Sequence, residues 1–412
     1  MAQTWDSLDR YVVISADTHA GADLRQYRDY LPRRWHEEFD AWAEGYSSPY
    51  DDLVTATAAL NWDSDARVKA LADDGVAAEV VFPNTVPPFF ETIGNFASMP
   101  WTREDYERRA AGIQAHNRWV VDFCRREPVR RRGLVQIFPH DIDAAVAEVR
   151  WAAETGVVGG ILAPAIPANH AVEPWFHTRY EPLWAALEET GLSFGQHPGT
   201  GTPDVGKDQP AAAAVMLVEF TWWTRRTLSH LILAGVFERY PDLKAVWTEQ
   251  GVTWALQDLG LLDYTVADMK STADNRTTTL FGADVIDSLS LTPSEYFARN
   301  CYIGASFMSR GEMKYAQYVV DRIMWGTDFP HEEGTTPYTR EALRAAFSRT
   351  PEADLRKILA GTAAEVYGFD LEALAPIAAE IGPTVEEVAV PLTEVPPSKS
   401  PAFIGAVKQP AA

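Results

Sequence analysis

Cysteine is nearly absent. The 412 residues include two, Cys124 and Cys301. They are far apart and fit no metal-ligand spacing, so neither a disulfide framework nor a thiolate metal centre is expected, and a reducing, cytoplasmic setting is the natural reading. Basic charge is also scarce: 36 Lys and Arg stand against 58 Asp and Glu, a formal net charge of -22. This disfavours nucleic acid as a partner, because phosphate binding needs clustered Lys and Arg. It does not argue for a cationic substrate, since surface carboxylates mostly serve solubility. No apolar run approaches the roughly 20 residues of a membrane span. The start, Met1-Ala2-Gln3-Thr4-Trp5-Asp6, has no basic stretch leading into an apolar one. No membrane partner is expected. A small-molecule substrate and a homodimer or higher homo-oligomer are the partners that remain.

What is present is apolar mass. Hydrophobic residues make up 46% and aromatics 11%, with 14 Trp. That is enough for one large core or two modest ones, and it excludes disorder over most of the length. Short apolar runs alternate with longer amphipathic segments. The runs are 11–16, 76–82, 133–138, 157–162, 192–196, 243–247, 301–305 and 323–327, read as eight buried strands. Helical patterns lie over 141–154, 182–190, 211–240, 309–320 and 340–349. This alternation predicts an α/β fold, a (β/α)8 TIM barrel. The competing open sheet usually carries a Gly-rich phosphate loop after its first strand, where this chain has Asp17-Thr18-His19-Ala20-Gly21. Long insertions follow strands one and two (20–70 and 84–118), at the face where barrel loops build active sites. The barrel domain is set at 1–375. A Pro-rich extension, 376–412, is read as an extended arm, loose or wrapped on a partner subunit.

The ionisable residues fall at predicted strand ends: Asp17, His19, His197, Glu249 and Asp328. In a parallel barrel these ends converge on one mouth. Asp17 and His19 are two apart on an extended segment and share a face. Imidazole with carboxylate oxygen suits Zn, Mn or Fe(II), and a catalytic site leaves a position open for water or substrate. Each residue alone has a plainer reading: Asp17 or Asp328 as a cap, His19 as a packed histidine, His197 as a loop residue. Their joint occurrence on strands one, five and eight is what favours a metal site. His331, three residues after Asp328, can face the same mouth. His177, Trp222 and Arg225 are candidate substrate contacts, although a loop-ordering histidine, an interface tryptophan and a solvated helix face are the alternatives.

The segments Trp175 to Trp184, Gln196-His197-Pro198-Gly199, Leu233 to Leu243 and Trp325 to His331 resemble the amidohydrolase superfamily. The likeness is to its amidohydrolase-related group, which includes aminocarboxymuconate semialdehyde decarboxylase and resorcylate decarboxylases, and it spans roughly residues 11 to 370. It implies that Asp17, His19, His197 and Asp328 hold one divalent metal, with Zn the first choice and Mn or Fe the alternatives. It also implies that Asp328 serves as general base or proton shuttle. Two departures stand out. Many members carry His at the end of strand six, where this chain has Glu249, which can be an acid or base, a bridge to a second metal, or a support for a ligand. Several relatives place Glu three residues after His19, where this chain has Ala22.

Two reactions follow. The first is hydrolysis, with a metal-activated water attacking an amide, ester, lactone or thioester of a bulky substrate and Asp328, Glu249 and His331 moving protons. The second is non-oxidative decarboxylation of an aromatic or enol carboxylic acid. The acidic strand-one motif favours the second and the Glu249 replacement weakens it, so hydrolysis is placed first. A non-catalytic binding barrel is the third and least favoured class.

Overall fold

The computed structural model describes residues 4–48, 55, 57–84, 87–90, 98–168, 170–199, 201–203, 209–271 and 284–406. Within them a single parallel sheet runs in chain order from β1 to β8. The strands are β1 Ile14–Ala20, β2 Ala78–Pro83, β3 Arg131–Gln136, β4 Val158–Leu162, β5 Ser193–Gln196, β6 Ala245–Thr248, β7 Cys301–Ser306 and β8 Ile323–Gly326. A parallel bridge from Thr18 to Phe329 joins the two ends of the sheet. The fold is therefore the expected (β/α)8 barrel. Helices α1 His36–Gly45, α2 Ser64–Asp73, α3 Arg103–Arg125, α4 Ile142–Glu154, α5 Glu181–Thr190, α6 Ala212–Leu233, α7 Val236–Arg239 and α8 Thr253–Ser271 precede the later short helices. None is long and apolar enough to cross a membrane among the described residues.

Three local differences from the sequence reading have physical causes. The first apolar run was expected to stop at Asp17, but β1 continues to Ala20 because its ladder with β2 continues, pairing Thr18 with Val81 and His19 with Phe82. A register irregularity between Ser15 and Thr18 resets the strand's alternation there. The helix expected over 211–240 divides into α6 and α7 at Gly235, whose φ of 65° is left-handed. Of the expected helix over 309–320, only Met313–Ala316 is helical.

The C-terminal segment begins as helix, Leu371–Ile381 and Val385–Ala389, and becomes irregular from residue 391. It lies on its own chain: Arg344 Nε donates to Val390 O at 3.0 Å, and Phe403 packs with Ala342 and Ala345. Parts of both long insertions, 49–54, 56, 85–86 and 91–97, lie outside the described residues.

Inside the barrel, Ile14, Val80, Phe82, Leu134, Val246, Tyr302 and Met324 pack together, joined by Val366, Tyr367 and Phe369 from beyond β8. A larger cluster, including Trp175, Trp184, Trp247 and Trp325, fills the space between strands and helices. Within this apolar wall sits a dry ionic network. Glu79 of β2 receives Arg67 (2.7 Å) and Arg131 (2.8 Å), and all three side chains are buried. The Thr18 hydroxyl donates to the same carboxylate at 2.9 Å, and Arg67 donates to the His19 carbonyl at 2.9 Å. Burial raises the Glu79 pKa, but the two guanidinium groups outweigh it and hold the group at about 2.

Glu79→Gln should therefore cost on the order of 3–5 kcal/mol, because two buried guanidinium groups lose their counter-charge. Urea unfolding at neutral pH measures this. The contribution of Glu79 is present above its ordinary value of 4.5 and is lost as pH falls towards about 2. The variant should accordingly lose the acid-sensitive part of its stability over that range. Native stability in Glu79→Gln would show that the network does not anchor β1.

Candidate metal centre

The barrel closes at the seam between β8 and β1, and closure brings the sequence-predicted residues together. Asp328 N donates to Asp17 O at 2.9 Å and His19 N donates to Phe329 O at 2.6 Å. Below them Ser15 Oγ lies 2.9 Å from Thr327 Oγ1. The seam is tight at Gly326, where an added Cβ would fall 2.6 Å from the Asp17 Cβ and 2.9 Å from Ser306 Oγ. Only glycine leaves room for the Asp17 side chain. Two site carboxylates sit on left-handed backbone, Glu249 at φ 55° and Asp328 at φ 57°. Such conformations cost about 1–3 kcal/mol each in non-glycine residues and persist where the surroundings over-determine them.

The ring partners set the tautomers. His19 Nδ1 faces Pro83 O at 3.1 Å and His197 Nδ1 faces Pro198 O at 2.8 Å. A carbonyl accepts, so each Nδ1 carries the hydrogen and each neutral ring turns its Nε2 lone pair inward. His19 Nε2 then lies 3.3 Å from Asp17 Oδ1 and 3.0 Å from Asp328 Oδ1. His197 Nε2 lies 3.8 Å from Asp17 Oδ1 and 3.4 Å from Glu249 Oε2. Asp17 Oδ1, His19 Nε2, His197 Nε2 and Asp328 Oδ2 are buried with no hydrogen-bond partner among the described residues. Lone pairs facing one another in a dry site repel unless a positive charge sits between them. Burial opposes charging His19, but Asp17 and Asp328 reverse that and push its pKa well above the ordinary range. The donor set therefore fits a cation. Asp17, His19 and His197 form one group with atoms within 4.8 Å of one another, and His19, Asp328 and His331 form a second.

The remaining carboxyls differ in state. Burial raises the Asp328 pKa, yet His331 and His19 overcome it and hold the group far below the ordinary carboxylate range. Glu249 is pushed well above that range by burial and then by the negative charges of Asp328 and Asp17. His331 stacks on His19 with ring centroids 4.2 Å apart. Its Nδ1 is 2.9 Å from Asp328 Oδ1 and its Nε2 is 3.0 Å from Asn84 Oδ1.

The mouth opens on a narrow pocket lined by Phe82, Phe90, Ile113, Gln136, Phe138 and Leu162, with His19 and His197 at its base. The expected substrate contacts are not there. His177 is exposed, its Nδ1 accepting from Arg179 N at 3.1 Å. Trp222 is 54% exposed on α6. Arg225 donates to Gln250 Oε1 at 2.7 Å and lies over the Trp254 ring. None of the three lines the pocket, and Arg225 is half-buried against Gln250 and Trp254 rather than on a solvated helix face. Conversely, the sequence reading passed over Asn84, Ser306, whose hydroxyl donates to Asp17 Oδ2, and Gln136. Each ends a strand or directly follows one, as His197 and Glu249 do. They were missed because, at the strand ends, the search weighed ionisable groups and not neutral polar ones.

No curated protein matches the chain by sequence. Among solved structures, 5-carboxyvanillate decarboxylase from Sphingomonas paucimobilis superposes with a TM-score of 0.62 at 20% identity, covering 87% of this chain and 100% of that one. An amidohydrolase from Mycobacterium avium subsp. paratuberculosis K-10 gives 0.64 at 21% identity, covering 87% and 99%. Dihydroxybenzoic acid decarboxylase from Polaromonas sp. JS666, with bound manganese and 2-nitroresorcinol, gives 0.59 at 18% identity, covering 87% and 97%. At these identities the likeness is one of fold. Hydrolysis, the reaction placed first from the sequence, is corrected by these neighbours: those named by their reaction are decarboxylases. The sequence reading had weighed the Glu249 replacement against decarboxylation. A divalent metal is supported, and zinc in particular is not. A family model described as amidohydrolase matches residues 17–282 and 306–369, and the chain belongs to that family.

Proposed function

We propose that the protein is a divalent-metal-dependent, non-oxidative decarboxylase of a planar aromatic or enol carboxylic acid. The observation that carries this reading is that His19 and His197, which belong to the carboxylate–imidazole cluster, also line a narrow slot walled by Phe82, Phe90 and Phe138. A flat ring fills such a slot and stacks on its aromatic walls, whereas a bulky substrate does not.

In this reading Asp17, His19, His197 and Asp328 hold one metal. Two oxygen and two nitrogen donors suit an ion that accepts five or six ligands, which favours manganese over tetrahedral zinc. When bound, the metal supplies positive charge against the anionic oxygens of the substrate. Glu249 Oε2 lies 3.4 Å from His197 Nε2, and Glu249 is assigned to proton transfer rather than to a second metal. Two carboxyls driven apart in pKa mark the acid and its ionised partner. Glu249, favoured in its protonated form, donates its proton to the ring carbon bearing the carboxylate. The carbon–carbon bond then breaks, its electron pair returns to the ring, and CO2 leaves. Asp328 stays ionised, held by His331 at 2.9 Å. The Phe walls exclude water from the reacting carbon. We assign the homo-oligomer expected from the sequence to α6, whose apolar Leu217, Val218 and Trp222 are exposed in the single chain.

Mn-loaded protein given hydroxybenzoates should release CO2 and take one solvent deuterium onto the ring carbon in D2O. Glu249→Gln, which has no proton to give, should lower kcat by roughly 10²–10⁴-fold while metal content is unchanged. Release of product by water addition to an acyl carbon, without CO2, would sink the reading.

The cluster also predicts a stability response. Chelation should lower Tm and Mn(II) should restore it, because bound ligand stabilises the folded state by mass action. Gly326→Ala should displace Asp17 and weaken metal binding at least tenfold, read by metal analysis and thermal shift. Full metal occupancy in Gly326→Ala would remove Asp17 from the ligand set.

A further inference from the structure

The slot contains one polar wall group that neither the metal cluster nor the proton path uses. Gln136 is the last residue of β3 and lines the pocket together with His19, Phe82, Leu162 and His197. Its side-chain Nε2 is buried and has no hydrogen-bond partner among the described residues. The other described residues of the lining are apolar apart from His19 and His197, whose Nδ1 atoms are already held by Pro83 and Pro198 carbonyls. A buried amide N–H without an acceptor is destabilising, so its retention in an apolar wall calls for a partner that arrives with the ligand.

The position of Gln136 is built rather than incidental. Asn117 of α3 brackets its backbone from both sides: Asn117 Oδ1 accepts from Gln136 N at 2.8 Å, and Asn117 Nδ2 donates to Gln136 O at 2.9 Å. The same Nδ2 donates to Glu148 Oε1 at 2.9 Å, and Arg118 holds the other carboxylate oxygen at 2.9 Å. The strand end that carries Gln136 is thereby fixed to α3 and α4. A donor on a rigid strand end can discriminate between ligands, because its orientation is set before binding.

We propose that Gln136 is a specificity-determining residue: its amide N–H donates to an oxygen substituent on the ring of the aromatic substrate, away from the group that meets the metal cluster. This rests on the decarboxylase reading of the site. A site built to donate to a ligand oxygen also disfavours the analogue lacking it, because the donor is then left buried and unpaired.

The test uses Mn-loaded full-length protein and ligands that cannot lose CO2: 2-nitrophenol and its 3-, 4- and 5-methoxy forms. A methoxyl accepts but does not donate. By calorimetric titration one methoxy form should bind native protein about tenfold more tightly than 2-nitrophenol, the scale of one neutral hydrogen bond. In Gln136→Leu, and in Gln136→Glu, which keeps the side-chain length but presents an ionised acceptor, the preference should fall to within twofold. Binding of 2-nitrophenol itself should persist in Gln136→Leu. A methoxy preference that survives in both variants, or its absence in native protein, overturns the role of Gln136 and leaves the decarboxylase reading standing. Failure of every nitrophenol to bind, together with no CO2 release from hydroxybenzoates, overturns both.

Discussion

The structure turns on negative charge gathered in a dry place. Asp17 and Asp328 are fully buried at the barrel seam, with Glu249 beside them and two imidazole lone pairs turned inward. No arrangement of these groups alone satisfies them, since orphaned atoms of four residues face one another. The seam needs a positive charge to be stable, and that need makes the site a receptor for a metal. Backbone strain follows from the same demand. Asp328 and Glu249 occupy left-handed conformations because extended backbone would carry their carboxyls onward along the strand instead of into the mouth. The interlocked backbone bonds of the seam offset that strain.

The second ionic network, behind β1, depends on this seam as well. Arg67 reaches from α2 to the Glu79 carboxylate and to the carbonyl of His19, and its guanidinium lies over the Phe329 ring at 4.8 Å. One buried cation thus touches both strands that meet at the site. Thr18, between the two ligands of β1, donates to the same Glu79. Consecutive residues of β1 alternate between the metal cluster and this network, so the strand is clamped from outside while its inward side chains are left free for a ligand. The Arg–Glu–Arg group is costly to bury, and its benefit is positional rather than a large net gain in stability.

The barrel and the main residues of the centre were legible because they rest on patterns that survive in one sequence. Apolar runs of strand length recur eight times, and Asp17, His19, His197 and Asp328 each stand where a run ends. Three things were not legible. The continuation of β1 through Asp17 and His19 depends on pairing with β2, a partner some sixty residues away that periodicity does not see. The irregularity in that pairing belongs to the ladder rather than to any residue type. The outward placement of Arg225 depends on Gln250 and Trp254, and a helical arginine near a strand end looks the same whether it faces a pocket or a neighbouring loop. The reaction was misjudged for a related reason. Glu249 was measured against the histidine of relatives, whereas in the fold burial and the charges of Asp328 and Asp17 raise its pKa.

The distribution of arginine narrows the substrate further. Arg67 and Arg131 are held by Glu79. Arg109 lies behind the slot, over Phe90, and bonds Ser98 O and Asp105. Arg225 is tied to Gln250. Among the described residues, the slot lining itself contains no Lys or Arg. A second carboxylate on the ring would therefore enter an apolar wall with no counter-charge, a large desolvation penalty. The charge that the site can accept lies at one end, where the metal cluster is, and the other end offers Phe90, Ile113, Phe138 and the neutral amide of Gln136. On the decarboxylase reading proposed above, a singly charged aromatic acid with neutral oxygen substituents would match both ends. On that reading, loss of that carboxylate as CO2 would leave less negative charge for the charged end to hold, so the asymmetry that admits the substrate would also favour release of the product.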